Sequence, residues 1–220
     1  MNIINKTNIS IDDFINTPIV NKEKEVIQDR MNHFYRMNHL SYVLDNTQIS
    51  GMFCEFGVYR GITINSIAEK FPNNIVWGFD SFEGLPEDWI TTDNEIIWPK
   101  GHFSVTDLPQ VKNNVRLIKG WFNETLPTWV EKHASNISFL HIDCDLYSST
   151  KTIFDSLNQY IVKDTIISFD EIYHFGNPKK YTKWYEGEFK ALKEWLEEYD
   201  REAEIISRSQ HMQSAIKVIR

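Results

Sequence analysis

From Met52 onward the sequence alternates short apolar runs with longer amphipathic segments, and that alternation limits the fold more than any other feature. The runs are MFCEFGV (52–58), NIVWGFD (74–80), VRLIKG (115–120), ISFLHID (137–143), TIISFD (165–170), EAEIIS (202–207) and SAIKVI (214–219). Most are continuously apolar, as expected of strands covered on both faces. Helices are expected between them at 61–70, 124–133, 148–160 and 186–199. Strand–helix alternation of this kind predicts an α/β, Rossmann-like domain with a mostly parallel sheet and helices on both faces. Only Arg208 to Gln213 separates the last two runs, too few residues for a crossover helix, so these two strands are expected to pair as an antiparallel hairpin.

The first 47 residues read differently. They are polar with scattered apolar positions, and Lys22 to Leu44 predicts one or two helices with Ile27, Met31, Phe34, Tyr35, Leu40 and Val43 roughly on one face. The expected organisation is an N-terminal helical extension over 1–47, covering a pocket or forming a homodimer contact, followed by one domain over 48–220. A second irregular stretch, 81–113, carries Pro86, Pro99 and Pro109 and little periodicity. A loop that long inside a compact domain usually serves function.

Net charge bears on partners. At −8 the chain is acidic, which argues against nucleic acid or an anionic membrane as its partner. No run approaches the roughly 20 apolar residues of a membrane span, and MNIINKTNISIDDF lacks the basic-then-apolar pattern of a signal peptide. Cys54 and Cys144 lie in apolar runs, as reduced core thiols do. A cytoplasmic location is the expectation.

Ligands of open α/β sheets sit beyond the carboxyl ends of the strands, and acids collect there. The first run carries Glu55, the second ends in Asp80, the fourth in Asp143 with Asp145 just beyond, and the fifth in Asp170-Glu171. Asp145 and Ser148 have an ordinary explanation as caps of the following helix. That explanation fits Asp80 and Asp170 less well, because no helix is expected immediately after them. Acids gathered along one edge repel one another unless a cation sits among them.

Gly57-x-x-x-Gly61, between a strand and a helix, is a nucleotide-type turn, and Asp80 at the end of the next strand stands where an acid meets an adenosine ribose. A dinucleotide fingerprint has glycine where this chain has Tyr59, so a pyrophosphate would be crowded. S-adenosylmethionine has no phosphate and carries an ammonium and a sulfonium. An acidic rim suits it better than it suits NAD.

Four stretches carry a family resemblance: EFGVYRG (55–61), GFDSFEGLPEDW (78–89), GWFNETLP (120–127) and FLHIDCDLYSSTK (139–151). With them the chain resembles the macrocin O-methyltransferase family of class I methyltransferases, from about Met52 to Ile219. The resemblance implies a seven-stranded sheet with an antiparallel last strand. It implies that Glu55, Gly57 and Gly61, with Tyr59 in the same turn, hold the methionine part of the donor. Asp80 would hold the ribose, with Ser81 and Phe82 beside it, and Gly120 and Trp121 would lie near the adenine. It implies Mg²⁺ on Asp143, Asp170 and Glu171. The family's usual Asp-Asp is Asp-Glu here, a longer side chain facing an ion that demands near-ideal octahedral geometry.

The expected activity is methylation of a small-molecule or sugar hydroxyl. Asp143 is a candidate metal ligand and base, and His174 a candidate base or acceptor contact. His102 is a candidate lid residue, whereas His141, inside an apolar strand, reads as a satisfied core residue. The aromatic segment Tyr173–Tyr185 either walls the acceptor site or packs Phe175 and Trp184 beneath the following helix. Two other classes compete: a NAD-dependent oxidoreductase on a similar sheet, disfavoured by Tyr59, and a binding protein that keeps the fold without the chemistry, disfavoured by the full set of acids.

Overall fold

The computed structural model describes residues 8–20, 31–92 and 95–220. Two helices precede the sheet: α1 (Ile11–Asn16) and α2 (Met31–Asp45). Then follow β1 (Met52–Phe56), α3 (Ile62–Lys70), β2 (Val76–Asp80), β3 (Trp89–Thr92), β4 (Glu95–Trp98), β5 (Val115–Lys119), α4 (Phe122–His133), β6 (Ile137–Ile142) and α5 (Tyr147–Leu157). The chain closes with β7 (Ile161–Phe169), α6 (Glu188–Glu198), β8 (Ala203–Arg208) and β9 (Ser214–Val218). The main sheet has seven strands in the order β5-β2-β1-β6-β7-β9-β8. The first five of these run parallel, and β9 is antiparallel to both its neighbours. This is the expected class I arrangement, with the expected C-terminal hairpin.

Two apolar layers follow from the alternation of side chains along each strand. Cys54 and Phe56 of β1 face a core shared with α4, α5 and α6, while Phe53 faces a second core shared with α2 and α3. Down the α2–α3 side runs a row that is polar rather than apolar. Glu55, His141, Ser168 and Ala215 are successive partners across β1, β6, β7 and β9, and Ser207 on β8 continues the row. Every polar member is at least 98% buried, so each needs a partner. Thr63 of α3 donates to Glu55 at 3.0 Å, His141 Nδ1 lies 3.1 Å from the same carboxylate, and His39 of α2 meets Ser207 at 3.0 Å.

The N-terminal segment wraps the β8 edge of the sheet. A capping box between Ser10 and Asp13 starts α1, and Phe14 packs edge-on to Phe189 of α6 with the ring centroids 6.1 Å apart. Ile19 bridges to Arg208 and the Val20 N–H donates to its carbonyl, covering backbone of an edge strand. On the opposite face lies α2, whose His39, Leu40, Val43 and Leu44 are buried. That face differs from the sequence expectation by centring on His39–Leu44. Phe34 and Tyr35 are half-buried, and Ile27 lies outside the described residues. No helix among the described residues is long and apolar enough to cross a membrane. Cys54 and Cys144 are free and buried.

Candidate active site

Strand order reverses between β1 and β6, so a crevice opens at their carboxyl ends. The turn after β1 is shaped for this closeness. Gly57 has φ +93°, and a Cβ there would sit 1.7 Å from the carbonyl oxygen of Asp143. Glycine is therefore required so that the ends of β1 and β6 can meet. The Gly57 N–H donates to Phe79 and the Asp143 N–H to Phe56, both at 2.9 Å, binding three strand ends together.

Asp80 locks this turn to β2. Its Oδ2 accepts from the Val58 and Tyr59 N–H groups at 2.8 and 2.7 Å, and its Oδ1 accepts from Phe82 N–H at 2.6 Å. An ionised carboxylate offers about four acceptor sites. Three are filled, so Asp80 has room for one ribose hydroxyl rather than the two a free carboxylate could take. The turn amides have prior claim because buried N–H groups need partners. Glu55 is wholly buried behind the turn, occupied by Thr63 and His141.

A cavity of about 860 Å³ fills the crevice. Of the sequence-derived donor residues, Gly57, Tyr59, Asp80, Ser81 and Trp121 line it, and Glu55, Gly61, Phe82 and Gly120 do not. The irregular stretch 81–113 supplies further wall through Leu85, Pro86, Trp89, Trp98, Lys100 and Phe103. It contains the antiparallel β3–β4 pair, unforeseen from sequence because its runs are too short to show a period. His102 belongs to this flap and stacks on Trp98 with centroids 4.1 Å apart.

At the other end of the cavity the carboxylates crowd. Asp143, Asp145 and Glu171 line it. Asp143, Asp170 and Glu171 each offer an oxygen, all lying within 4.8 Å of one another. Behind them Glu188, the first residue of α6, is fully buried and accepts the Glu171 N–H at 3.2 Å. Among the described residues, no hydrogen-bond donor reaches the buried Glu171 Oε2 or Glu188 Oε1. Burial, and then the neighbouring carboxylates, push both groups well above the usual range. Asp145, held at φ +63°, is likewise raised to about 7, by burial first and Asp170 second. Asp170 moves the other way: burial opposes its charge, but the Arg36 guanidinium holds it below the usual range.

Arg36 reaches this cluster from α2. Its Nη2 contacts Asp143 Oδ2, and its Nε lies 3.0 Å from Asp170 Oδ1. Nothing in the strand pattern announced Arg36 or Glu188. A helical-wheel reading places Arg36 one turn before His39 and Leu40, which was the available signal for Arg36. Asp145 was visible but has the simpler explanation of a helix cap; in the fold Leu146 occupies the cap position of α5.

His174 does not line the cavity. Its Nδ1 accepts the Asn177 N–H at 2.9 Å within a tight turn, and its ring meets that of His211. His141 is a buried structural partner of Glu55. The aromatic segment after Glu171 packs internally: Trp184 touches Tyr173 and Phe189, and Phe175 touches Tyr173 and Arg208. None of these aromatics lines the cavity.

Comparison with known proteins extends this geometry. A sequence profile described as Macrocin-O-methyltransferase (TylF) matches residues 23–206. The chain is 30% identical over 145 residues to the 8-demethyl-8-(2,3-dimethoxy-alpha-L-rhamnosyl)-tetracenomycin-C 4'-O-methyltransferase of Streptomyces olivaceus, covering 56% of this chain and 54% of that one. It is 31% identical over 121 residues to the demethyldecarbamoylnovobiocin O-methyltransferase of Streptomyces niveus, covering 46% and 45%. The matched part is thus about half the length of these curated relatives. Among solved structures the fold is shared with the O-methyltransferase NovP (TM-score 0.62, 20% identity, 84% of this chain and 80% of that one). It is shared equally with CalS11, a calicheamicin methyltransferase (TM-score 0.62, 22% identity, 87% and 80%).

Proposed function

This chain belongs to the macrocin O-methyltransferase family, and from that premise we propose that it transfers a methyl group from S-adenosylmethionine to a hydroxyl of a small molecule, a sugar or glycosylated natural product being the favoured class. The observation that carries this reading is the shared cavity. One end is the Gly57 turn with Asp80, Ser81 and Trp121; the other is the carboxylate group Asp143, Asp145 and Glu171. A methyl donor and an acceptor need such a continuous space, because displacement requires nucleophile, methyl and sulfur in line. The names of the two curated relatives, each an O-methyltransferase of a natural product and one specifying a rhamnosyl group, support the substrate class.

In this reading the donor carboxylate meets the N-terminus of α3, where Arg60, Ile62 and Thr63 line the cavity, Asp80 takes one ribose hydroxyl, and Trp121 packs against the adenine. Glu55, Gly61, Phe82 and Gly120 keep these groups in place from behind. Asp145 faces the cavity beside Asp143 and takes the acceptor proton; Asp143, held by Arg36, is the less free of the two. His174 stands outside the cavity wall and has no assigned step. Three converging carboxylates with a buried, unpartnered Glu171 oxygen fit a hard divalent cation. Asp143, Asp170 and Glu171 are the residues that would hold Mg²⁺, which when bound lowers the pKa of a coordinated hydroxyl.

Calorimetric titration with S-adenosylhomocysteine tests the donor reading without knowledge of the acceptor. Binding is expected, together with no response to NADH. A protein that ignores S-adenosylhomocysteine, or that binds NADH in its place, overturns the proposal.

A further inference from the structure

Among the described residues, Arg36 is the cation in ion-pair contact with the carboxylate cluster, and it comes from the N-terminal segment rather than from the sheet. Its contact atoms lie on Asp143 Oδ2 and Asp170 Oδ1. Both residues belong to the trio whose oxygens converge within 4.8 Å. A guanidinium resting on these two carboxylates stands where an ion drawn by all three would stand.

The fit of Arg36 is incomplete. Although Arg36 Nε lies 3.0 Å from Asp170 Oδ1, neither atom has a hydrogen-bond partner. The pair is close but misaligned, held by charge without the directed bonds that a planar guanidinium ordinarily makes to a carboxylate. The trio's third member, Glu171, keeps a buried Oε2 that no donor among the described residues reaches. The side chain of Arg36 is 29% exposed and borders the cavity, so it has space to leave. Its helix is seated by Leu40, Val43, Leu44 and the His39–Ser207 contact.

We propose that Arg36 and a divalent cation are alternative occupants of the Asp143–Asp170–Glu171 cluster, so that Arg36 sets the cation affinity of the site and cation loading releases the α2 wall of the cavity. The inference rests on the reading of that cluster as a cation site. Without the cation, Arg36 neutralises part of the cluster and fastens α2 beside the acceptor end. A cation that enters through Glu171 takes Asp143 and Asp170 from Arg36 and frees the guanidinium into the cavity. A site that is competent only when Arg36 is out binds with an affinity reduced by the fraction of time it is in.

The probe is Mn²⁺ alone, followed by its paramagnetic resonance signal and by calorimetry, with no acceptor needed. Arg36→Met is expected to bind Mn²⁺ about tenfold more tightly than the wild type. Equal or weaker binding by a folded Arg36→Met protein overturns the proposal, as does absence of Mn²⁺ binding in both proteins. Because the variant could lose its fold, amide hydrogen exchange of the wild type provides an independent reading. Mn²⁺ is expected to speed exchange in 31–45 and to leave 62–70 unchanged; unaltered or slowed exchange in 31–45 overturns the proposal. Parallel titration with S-adenosylhomocysteine separates the two readings. Retained binding with no Mn²⁺ response removes the cation reading of the cluster and the inference about Arg36 while leaving the donor reading in place, whereas failure of the wild type to bind S-adenosylhomocysteine removes the donor reading.

Discussion

The two ends of the cavity are built on opposite principles. At the donor end the chain answers its own charges: Asp80 accepts three backbone N–H groups and Glu55 is matched by Thr63 and His141. At the acceptor end carboxylates outnumber the cations that the described residues set against them, with Arg36 facing Asp143 and Asp170 while oxygens of Glu171 and Glu188 meet no donor among those residues. A site that is already satisfied is preorganised and binds by shape and a few remaining lone pairs. A site short of positive charge is responsive, because whatever cation enters changes its energy.

The sharpest way to break this contrast is Gly57→Ala. A Cβ at φ +93° and 1.7 Å from the Asp143 carbonyl combines backbone strain with overpacking, for a loss of about 4 kcal/mol in urea unfolding. Both ends are expected to suffer together, because Gly57 joins them. A variant as stable as wild type would show that the two ends are not held against each other at this point.

Acid should separate the ends. Burial, only partly offset by Asp170 and reinforced by His141, lowers the His39 pKa from 6.5 to about 4. A histidine with a lowered folded pKa contributes stability that is present above its unfolded value and is lost as pH falls through 6.5 toward 4. At full effect the loss is about 3 kcal/mol. His39→Gln should flatten the unfolding profile in that window. An unchanged profile would mean that His39 does not hold α2 in place.

Arg36→Ala tests the charge deficit directly. Breaking a fully buried ion pair costs roughly 3–5 kcal/mol. With Arg36 at 29% exposure a loss of about 2 kcal/mol is expected, and Mg²⁺ should restore the melting temperature more in the variant than in the wild type. Equal Mg²⁺ responses would remove the contrast from the acceptor end. The smallest expected effect belongs to the donor end: Trp121→Ala should weaken S-adenosylhomocysteine binding by about 1 kcal/mol through lost ring packing, while leaving Mn²⁺ binding unaltered.

The legible part of the molecule was the part written along single strands. Continuous apolar runs announced the parallel strands, and the short Arg208–Gln213 link announced the terminal hairpin. Asp80, Asp143 and Asp170 stood at the ends of their own runs, so their delivery to one rim followed from topology. The β3–β4 flap escaped because its four-residue strands are too short to establish a period. The hydrogen-bond partners of Glu55 and Asp80 escaped for another reason. A sequence shows that a carboxylate is near a ligand site, but its competing hydrogen-bond partners, Thr63, His141 and the turn amides, come from packing.

Sequence alone determined the sheet, its hairpin and the rim on which the acids gather, because strand periodicity and chain order are local properties. Tertiary structure alone decided which cation meets those acids. Helical periodicity predicts that α2 buries a face, but only tertiary packing sets that face over β7 and β8. That placement, through burial of Leu40, Val43 and Leu44, is what carries Arg36 to Asp143 and Asp170.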